Sequence, residues 1–302
     1  MDDKAALTRP LTAQFEHGQR QQQHHDAASR WNTSNLGLRL AADVASASTA
    51  SVLVAPAIIV IDRAIIEKSA GHTTLLSSVG QQLKHALLRP HKFIFSKPFG
   101  LIYLVYFGTY LTANSVDTAT SVSNGSAASA TSSGMPKFLA TTVANMGICL
   151  YKDSRFAQMF GSSGGGGAAR PVPPASIALF AIRDCLTIFA SFNLPPKLAP
   201  LLPMTDEVEK VMSRATAAQF ITPAACQLVS TPIHLLGLDL FNRPNGAGGL
   251  GAKALSWSQR WSKIRQDWLT SSIARMCRIV PAFGVGGVVN ADLRRKLMAR
   301  VE

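Results

Sequence analysis

Charge is scarce in this chain: Asp, Glu, Lys and Arg make up 16% of its 302 residues, against roughly 25% in ordinary soluble proteins. Such a chain is short of the groups that keep a surface wet, while 47% hydrophobic residues exclude global disorder. Acids are scarcer still, 17 against 30 bases, for a formal net charge of +13. Cysteine is limited to Cys149, Cys185, Cys226 and Cys277, each inside an apolar stretch and with no CxxC pair. That excludes a disulfide scaffold and argues against zinc. The N-terminus lacks a charged-then-apolar secretory pattern, and Asp2 and Asp3 do not suit an acid-poor transit peptide, so any organelle targeting is expected to be internal. No Ser/His/Asp order, HExxH motif or paired-carboxylate spacing stands out, so neither an enzyme nor a cofactor is expected. The GVGG at 284–287 follows no strand and precedes no lysine-serine pair, so its glycines are read as helix-packing residues. The basic excess is spread over loops without interleaved aromatics, which argues against nucleic acid.

What is present is apolar sequence in long runs. A helix needs roughly 20 mostly apolar residues to cross a bilayer core. Six stretches come near this: 40–66, 99–114, 138–151, 175–192, 215–241 and 271–289, of which 138–151 is the shortest. A soluble helical bundle is the alternative, as is a peripheral protein held by one amphipathic helix. Residues 215–238 carry no charge at all, whereas a soluble surface helix shows a charged face. Pro223 and Pro232 inside one span, and small-residue runs such as SASTAS, also suit helix packing in lipid. The expected organisation is a polar, largely disordered tail over 1–39 and a transmembrane domain over 40–302. Flexible segments are expected at 115–136 and 161–174.

The odd spans close on Asp62/Arg63, on Asp153/Arg155 and on Asp239/Arg243; 91 residues separate the first two aspartates and 86 the next two. The even spans end on Asn114, Asn193 and Asn290. Two interleaved series of similar period predict three two-helix repeats, near 40–117, 137–197 and 215–295, and hence pseudo-threefold symmetry. Within the first repeat, Leu76, Val79, Leu83 and Leu87 share one helical face. Within the third, Trp257, Trp261, Ile264 and Trp268 do the same, with cations around them, as in a helix lying in a membrane interface. The loops inside the repeats are rich in Lys and Arg, so one face of the protein is cationic.

Three such repeats, with Pro56 and Pro232 in odd spans, acid–base pairs at their ends and short surface helices between, resemble the mitochondrial carrier family over roughly residues 40 to 300. The aspartates come later after the prolines than that family's signature places them, and Phe192-Asn193 with Lys197, and Asn290 with Arg294, put asparagine where the family has an acid. The stretches 227–244 and 278–290 are also similar to an uncharacterised group of fungal mitochondrial membrane proteins. The resemblance implies an all-α membrane protein of the mitochondrial inner membrane: six tilted helices round a cavity, the cationic face toward the matrix. It implies transport of a small anionic metabolite, with the bilayer, including anionic lipid such as cardiolipin, as partner. The departures from the signature favour instead a non-transporting scaffold or assembly factor for respiratory-chain complexes.

A charge at the centre of a span costs on the order of 2.5–3.5 kcal/mol on insertion scales. Arg183 and Asp184 in the fourth span, and Arg275 and Arg278 in the sixth, therefore call for explanation. Arg183 and Arg278 lie at similar depth and, with Asp184, form a candidate substrate site. The alternative is an internal salt bridge of either arginine with Asp184 or Asp43. Asp62, Arg63, Asp153, Arg155, Asp239 and Arg243 form a candidate gate, or else anchor helix ends at the headgroups. His234, Asn145 and Gln227 are expected to be interhelical hydrogen-bonding residues.

Overall fold

The computed structural model describes residues 31–132, 134–161, 171–211, 213–243 and 256–301. Most of the N-terminal tail, the glycine run of the second linker, and Lys253 with the rest of 244–255 lie outside these. Every regular element among the described residues is helical. In chain order these are α1 (Leu36–Ala70), α2 (Leu75–Leu88), α3 (Pro90–Ile94), α4 (Lys97–Ser123), α5 (Met135–Phe160), α6 (Pro174–Asn193), α7 (Pro195–Leu198), a 3-10 turn (Ala199–Leu201), α8 (Asp206–Val211), α9 (Arg214–Asn242), α10 (Trp257–Cys277), a π-helical segment (Val280–Gly287) and α11 (Val288–Met298).

α1 shows how the sequence makes a span. Its hydroxyls bond back to the preceding turn, Ser46 to Ala42 O at 2.8 Å and Ser51 to Ala47 O at 2.6 Å, so they can be buried without an orphaned donor. The helix stops at Gly71, whose φ of +82° is open to glycine, with its N–H on Lys68 O. Its small residues Ala47, Ala50 and Ser51 face inward, while Leu38, Leu40, Val44, Val52 and Leu53 are exposed.

That inversion runs through the molecule. Arg39 and Arg260 are among the most completely buried side chains, while leucines, valines and tryptophans line the outside. In water this distribution would be upside down. Lipid is the solvent that suits it, and four helices are long and apolar enough to cross a membrane: Leu36–Ala70, Pro174–Ser191, Ala217–Asn242 and Trp257–Met298. α4 and α5 are of similar length, 27 and 26 residues. The long helices pack in sequence: α1 on α4, α4 on α5, α5 on α6, α6 on α9, α9 on α10, and the π segment with α11 back onto α1. The ring is packed solid at one end, where Ile58, Ile59, Ile66, Phe99, Phe156, Phe180, Leu238 and Phe241 form one apolar core. Glycines let the helices approach: a side chain at Gly237 would strike Phe180, and one at Gly286 would strike Val54 and Tyr110.

Several expectations are corrected. The short stretch 138–151 is the middle of a 26-residue helix. The first part of the low-complexity segment is helical through Ser123, and its Thr120 and Ser121 hydroxyls are satisfied on Val116 O and Thr118 O. α2 keeps the leucine face its periodicity implies: Leu76, Leu83 and Leu87 are exposed, while its polar face docks on α1 through Ser78 to Glu67 (2.5 Å) and Gln82 to Val60 O (3.4 Å). The tryptophan-bearing segment is no separate surface helix. α10 begins at a Ser256/Gln259 capping box and runs almost unbroken into the last span. Its apolar face is split: Trp257 and Trp261 are exposed, whereas Ile264 is buried. Trp268 has a specific task. Pro232 has no N–H, which leaves Leu228 O without its helical donor, and the Trp268 indole N–H supplies one at 2.7 Å.

Candidate functional site

Beyond the solid end the ring opens into a cavity of about 250 Å³. The lining residues recur at helical spacing on one face of each wall. α4 contributes Tyr106, Thr109 and Tyr110, and α5 contributes Thr141, Thr142, Asn145, Cys149 and Lys152. α6 contributes Arg183, Asp184, Thr187 and Ser191, α9 contributes Gln227, and α10 with the residues after it contributes Arg275, Arg278 and Ala282. Hydroxyls fold onto their own helices, Thr187 on Arg183 O at 3.0 Å and Ser191 on Thr187 O at 2.8 Å. Thr109 links α4 to α5 through Asn145 Oδ1 at 3.1 Å. Tyr110 Oη donates to Ala282 O at 2.8 Å, inside the π segment that Pro281 disrupts.

At one end the cavity narrows to a void of about 10 Å³ among charged groups. Asp62 of α1 accepts from Lys152 of α5 at 2.8 Å and pairs with Arg278 at 2.7 Å. Asp153 pairs with Lys152 and, at 2.6 Å, with Arg183 of α6. Arg183 also reaches Asp184 at 2.6 Å and donates to His234 Nδ1 of α9 at 3.0 Å. A guanidinium can only donate, so His234 is the acceptor there, a hydrogen-bonding contact between helices. One chain of ion pairs thus crosses the bundle and ties α1, α5, α6, α9 and the last span together. Arg275 stands beside it with an amide partner, Gln227 Oε1, at 2.9 Å.

The candidate site residues Arg183, Asp184 and Arg278 therefore do line one cavity, and both arginines are ion-paired. Asp43 is not their partner: at the other end of α1 it holds Arg294 at 2.7 Å. The six candidate gate residues do not form one ring. Asp62 and Asp153 belong to the charged chain, with cations from Lys152, Arg183 and Arg278. Asp239 lies in a separate cluster with Arg243 and Arg260. Arg63 turns to Glu67 at 2.6 Å and lies over the Phe160 ring. Arg155 is exposed, bonding Gln158 at 3.3 Å. Asp62 and Asp153 point into the bundle, whereas Arg63 and Arg155 lie toward the outside of their helices and find partners there. Neither Lys152 nor the hydroxyl stripe was among the candidate residues. The spacing of Arg183, Thr187 and Ser191 at every fourth residue was the available signal for the stripe.

Apolar faces outward, charges inward and a cavity that carries hydroxyl, amide and ion-paired groups in its wall define a multi-pass helical membrane protein. The family model described as "Probable citrulline exporter" matches residues 46–298, and the chain belongs to that family. No curated protein and no solved structure matches it. The match overturns the resemblance to the mitochondrial carrier family, none of whose models matches. The late aspartates and the proline-free third span agree with that correction.

Proposed function

We propose that this chain carries citrulline across a membrane through the central cavity. The family's description supplies the cargo, and a cavity that carries hydroxyl, amide and charged groups and is closed at one end by interhelical ion pairs is the observation that supports a path for it. Citrulline is an α-amino acid with a neutral ureido side chain. Asn145, Thr109, Thr187 and Ser191 offer hydroxyl and amide groups to a neutral polar chain. At about 250 Å³ the cavity is near the low end of small-ligand pockets, roughly 300–1,000 Å³, which suits one amino acid better than a nucleotide.

In this reading all six long helices cross the bilayer, the polar residues of α4 and α5 being turned to the cavity. The pairs α1–α4, α5–α6 and α9–α10 then form three pseudo-equivalent repeats, each first helix ending on a buried aspartate. The ion pairs of Asp62 and Asp153 act as a gate that must part for cargo to leave at the packed end. A cavity with charged groups at its base favours transport over a purely structural scaffold. The exposed leucines of α2 and the outer tryptophans of α10 would sit in the lipid, with anionic headgroups near Lys84, Arg89 and Lys92. The mitochondrial inner membrane remains the proposed location, now without the carrier resemblance behind it, and fractionation with carbonate extraction tests it.

The direct test is reconstitution. Purified protein in liposomes loaded with citrulline should drive saturable counterflow of radiolabelled citrulline, and Arg183→Ala or Arg278→Ala should lower it. Monodisperse, folded protein that moves no citrulline would overturn the proposal.

A further inference from the structure

We infer that Asp184 and Arg275 are the two jaws of a clamp for the ammonium and carboxylate of one α-amino acid, an inference that rests on the central cavity being the binding site. Two of the buried polar atoms that lack a hydrogen-bond partner among the described residues belong to this cavity's wall: Asp184 Oδ2 and Thr142 Oγ1. Asp184 shares its one cation. Arg183 holds Asp184 Oδ1 at 2.6 Å but is held equally closely by Asp153. One guanidinium therefore serves two carboxylates, and the second oxygen of Asp184 is left with nothing to accept. A buried carboxyl oxygen without a hydrogen-bond partner is a costly group to leave so.

Arg275 is the converse. Lys152, Arg183 and Arg278 meet Asp62, Asp153 and Asp184, three cations against three carboxylates, and Arg275 is the fourth cation in the same walls. It is 5% exposed, and among the described residues only the neutral Gln227 amide is recorded as its hydrogen-bond partner, with no carboxylate paired to it. Buried arginines ordinarily find an acid; Arg294, held by Asp43 and donating to Thr118, shows how this fold serves such a group elsewhere.

A carboxylate-only ligand would satisfy Arg275 and leave Asp184 Oδ2 unserved, and an amine-only ligand would do the reverse. A zwitterion answers both, its ammonium donating to Asp184 and its carboxylate accepting from Arg275. The Thr142 hydroxyl stands in the same wall as a further polar contact. The surplus positive charge also disfavours a cationic side chain, so a neutral side chain such as citrulline's is accepted and that of ornithine resisted.

The test needs three ligands: L-citrulline, its deaminated acid (ureidopentanoic acid) and its decarboxylated amine (ureidobutylamine). Binding is read in detergent from ligand-induced rise in unfolding temperature, which requires no flux. On the wild-type chain both analogues should bind on the order of ten- to a hundredfold more weakly than citrulline, the loss expected of a charge-assisted hydrogen bond. With Asp184→Asn the deaminated acid should bind as well as citrulline, and with Arg275→Gln the decarboxylated amine should. A merely structural role would weaken all three ligands by one factor, and that result, or analogues equal to citrulline on the wild-type chain, overturns the clamp while leaving citrulline transport standing. Should citrulline fail to bind but another L-amino acid bind with the same dependence on both groups, the clamp holds and the proposed cargo falls. If no α-amino acid stabilises the protein at millimolar concentration, the clamp is overturned. The wild-type comparison decides the matter even if a variant does not fold.

Discussion

The two ends of α1 carry buried aspartates about 28 Å apart along the helix, and they are served in opposite ways. Asp43 is fully satisfied: Arg294 holds one oxygen at 2.7 Å, Thr118 the other at 2.6 Å, and Arg294 also donates to Thr118. One turn inward, Asn114 and Asn290 exchange both amide hydrogen bonds at 3.0 and 2.9 Å. At the other end Asp62 divides itself between Lys152 and Arg278, Lys152 divides itself between Asp62 and Asp153, and Arg183 among three acceptors. The first arrangement is a staple that fastens α1, α4 and α11 together with nothing left over. The second is a chain of shared partners, in which each charge has another to fall back on when one contact breaks. A transporter needs one end that holds while the other yields, and matched against shared pairing is how this bundle differs between them.

The largest effect is expected at the staple. Asp43→Leu strands Arg294 in the interior, and breaking a buried pair this way costs about 3–5 kcal/mol, read as a fall in unfolding temperature in detergent. Adding Arg294→Met should recover most of that loss, because the uncompensated charge is gone. Asp62→Asn at the shared end should cost less, about 1.5–3 kcal/mol, since Lys152 keeps Asp153. Citrulline counterflow should nevertheless drop far more than stability does. Equal losses of stability at the two ends would erase the distinction between them.

Much of this was legible in the sequence. The long apolar runs, the buried aspartates and the mid-span arginines all lie where hydropathy and the cost of buried charge point. Partner choice was less legible. Asp62 and Lys152 are 90 residues apart, and only the meeting of α1 and α5 joins them. Arg294 likewise is buried 251 residues from its aspartate. The leucine face of α2 was legible as a face, while its polar docking on α1 was not, because periodicity reports that a helix has two faces and cannot say what each face meets. The family resemblance failed because a three-repeat pattern of spans and end charges is a coarse signal.

The next effect concerns neither end but the repair of a proline between them. Trp268→Phe removes the indole N–H from Leu228 O and should cost about 1 kcal/mol, the net value of a hydrogen bond. In a Pro232→Ala background residue 232 regains its own N–H and can serve that carbonyl, so the same substitution should cost less. A cycle of the four proteins by thermal unfolding measures the coupling. Additive losses would mean that the indole bond does not compensate for the proline.

The smallest expected effect sharpens the comparison most directly. Lys152 and Arg155 are one turn apart on α5, both basic, both adjacent in sequence to the same aspartate region, and composition alone cannot rank them. The helix does: Lys152 is 3% exposed and shared by two carboxylates, whereas Arg155 faces outward over Tyr151. Arg155→Gln should then change stability by no more than about 0.5 kcal/mol, as for other surface substitutions, and leave citrulline counterflow intact. Lys152→Gln should abolish counterflow, because it leaves Asp62 and Asp153 adjacent with one fewer cation between them. If Arg155→Gln stops transport while the protein stays folded, the outward-facing cations belong to the gate after all, and the division between shared and matched ends does not describe how the molecule works.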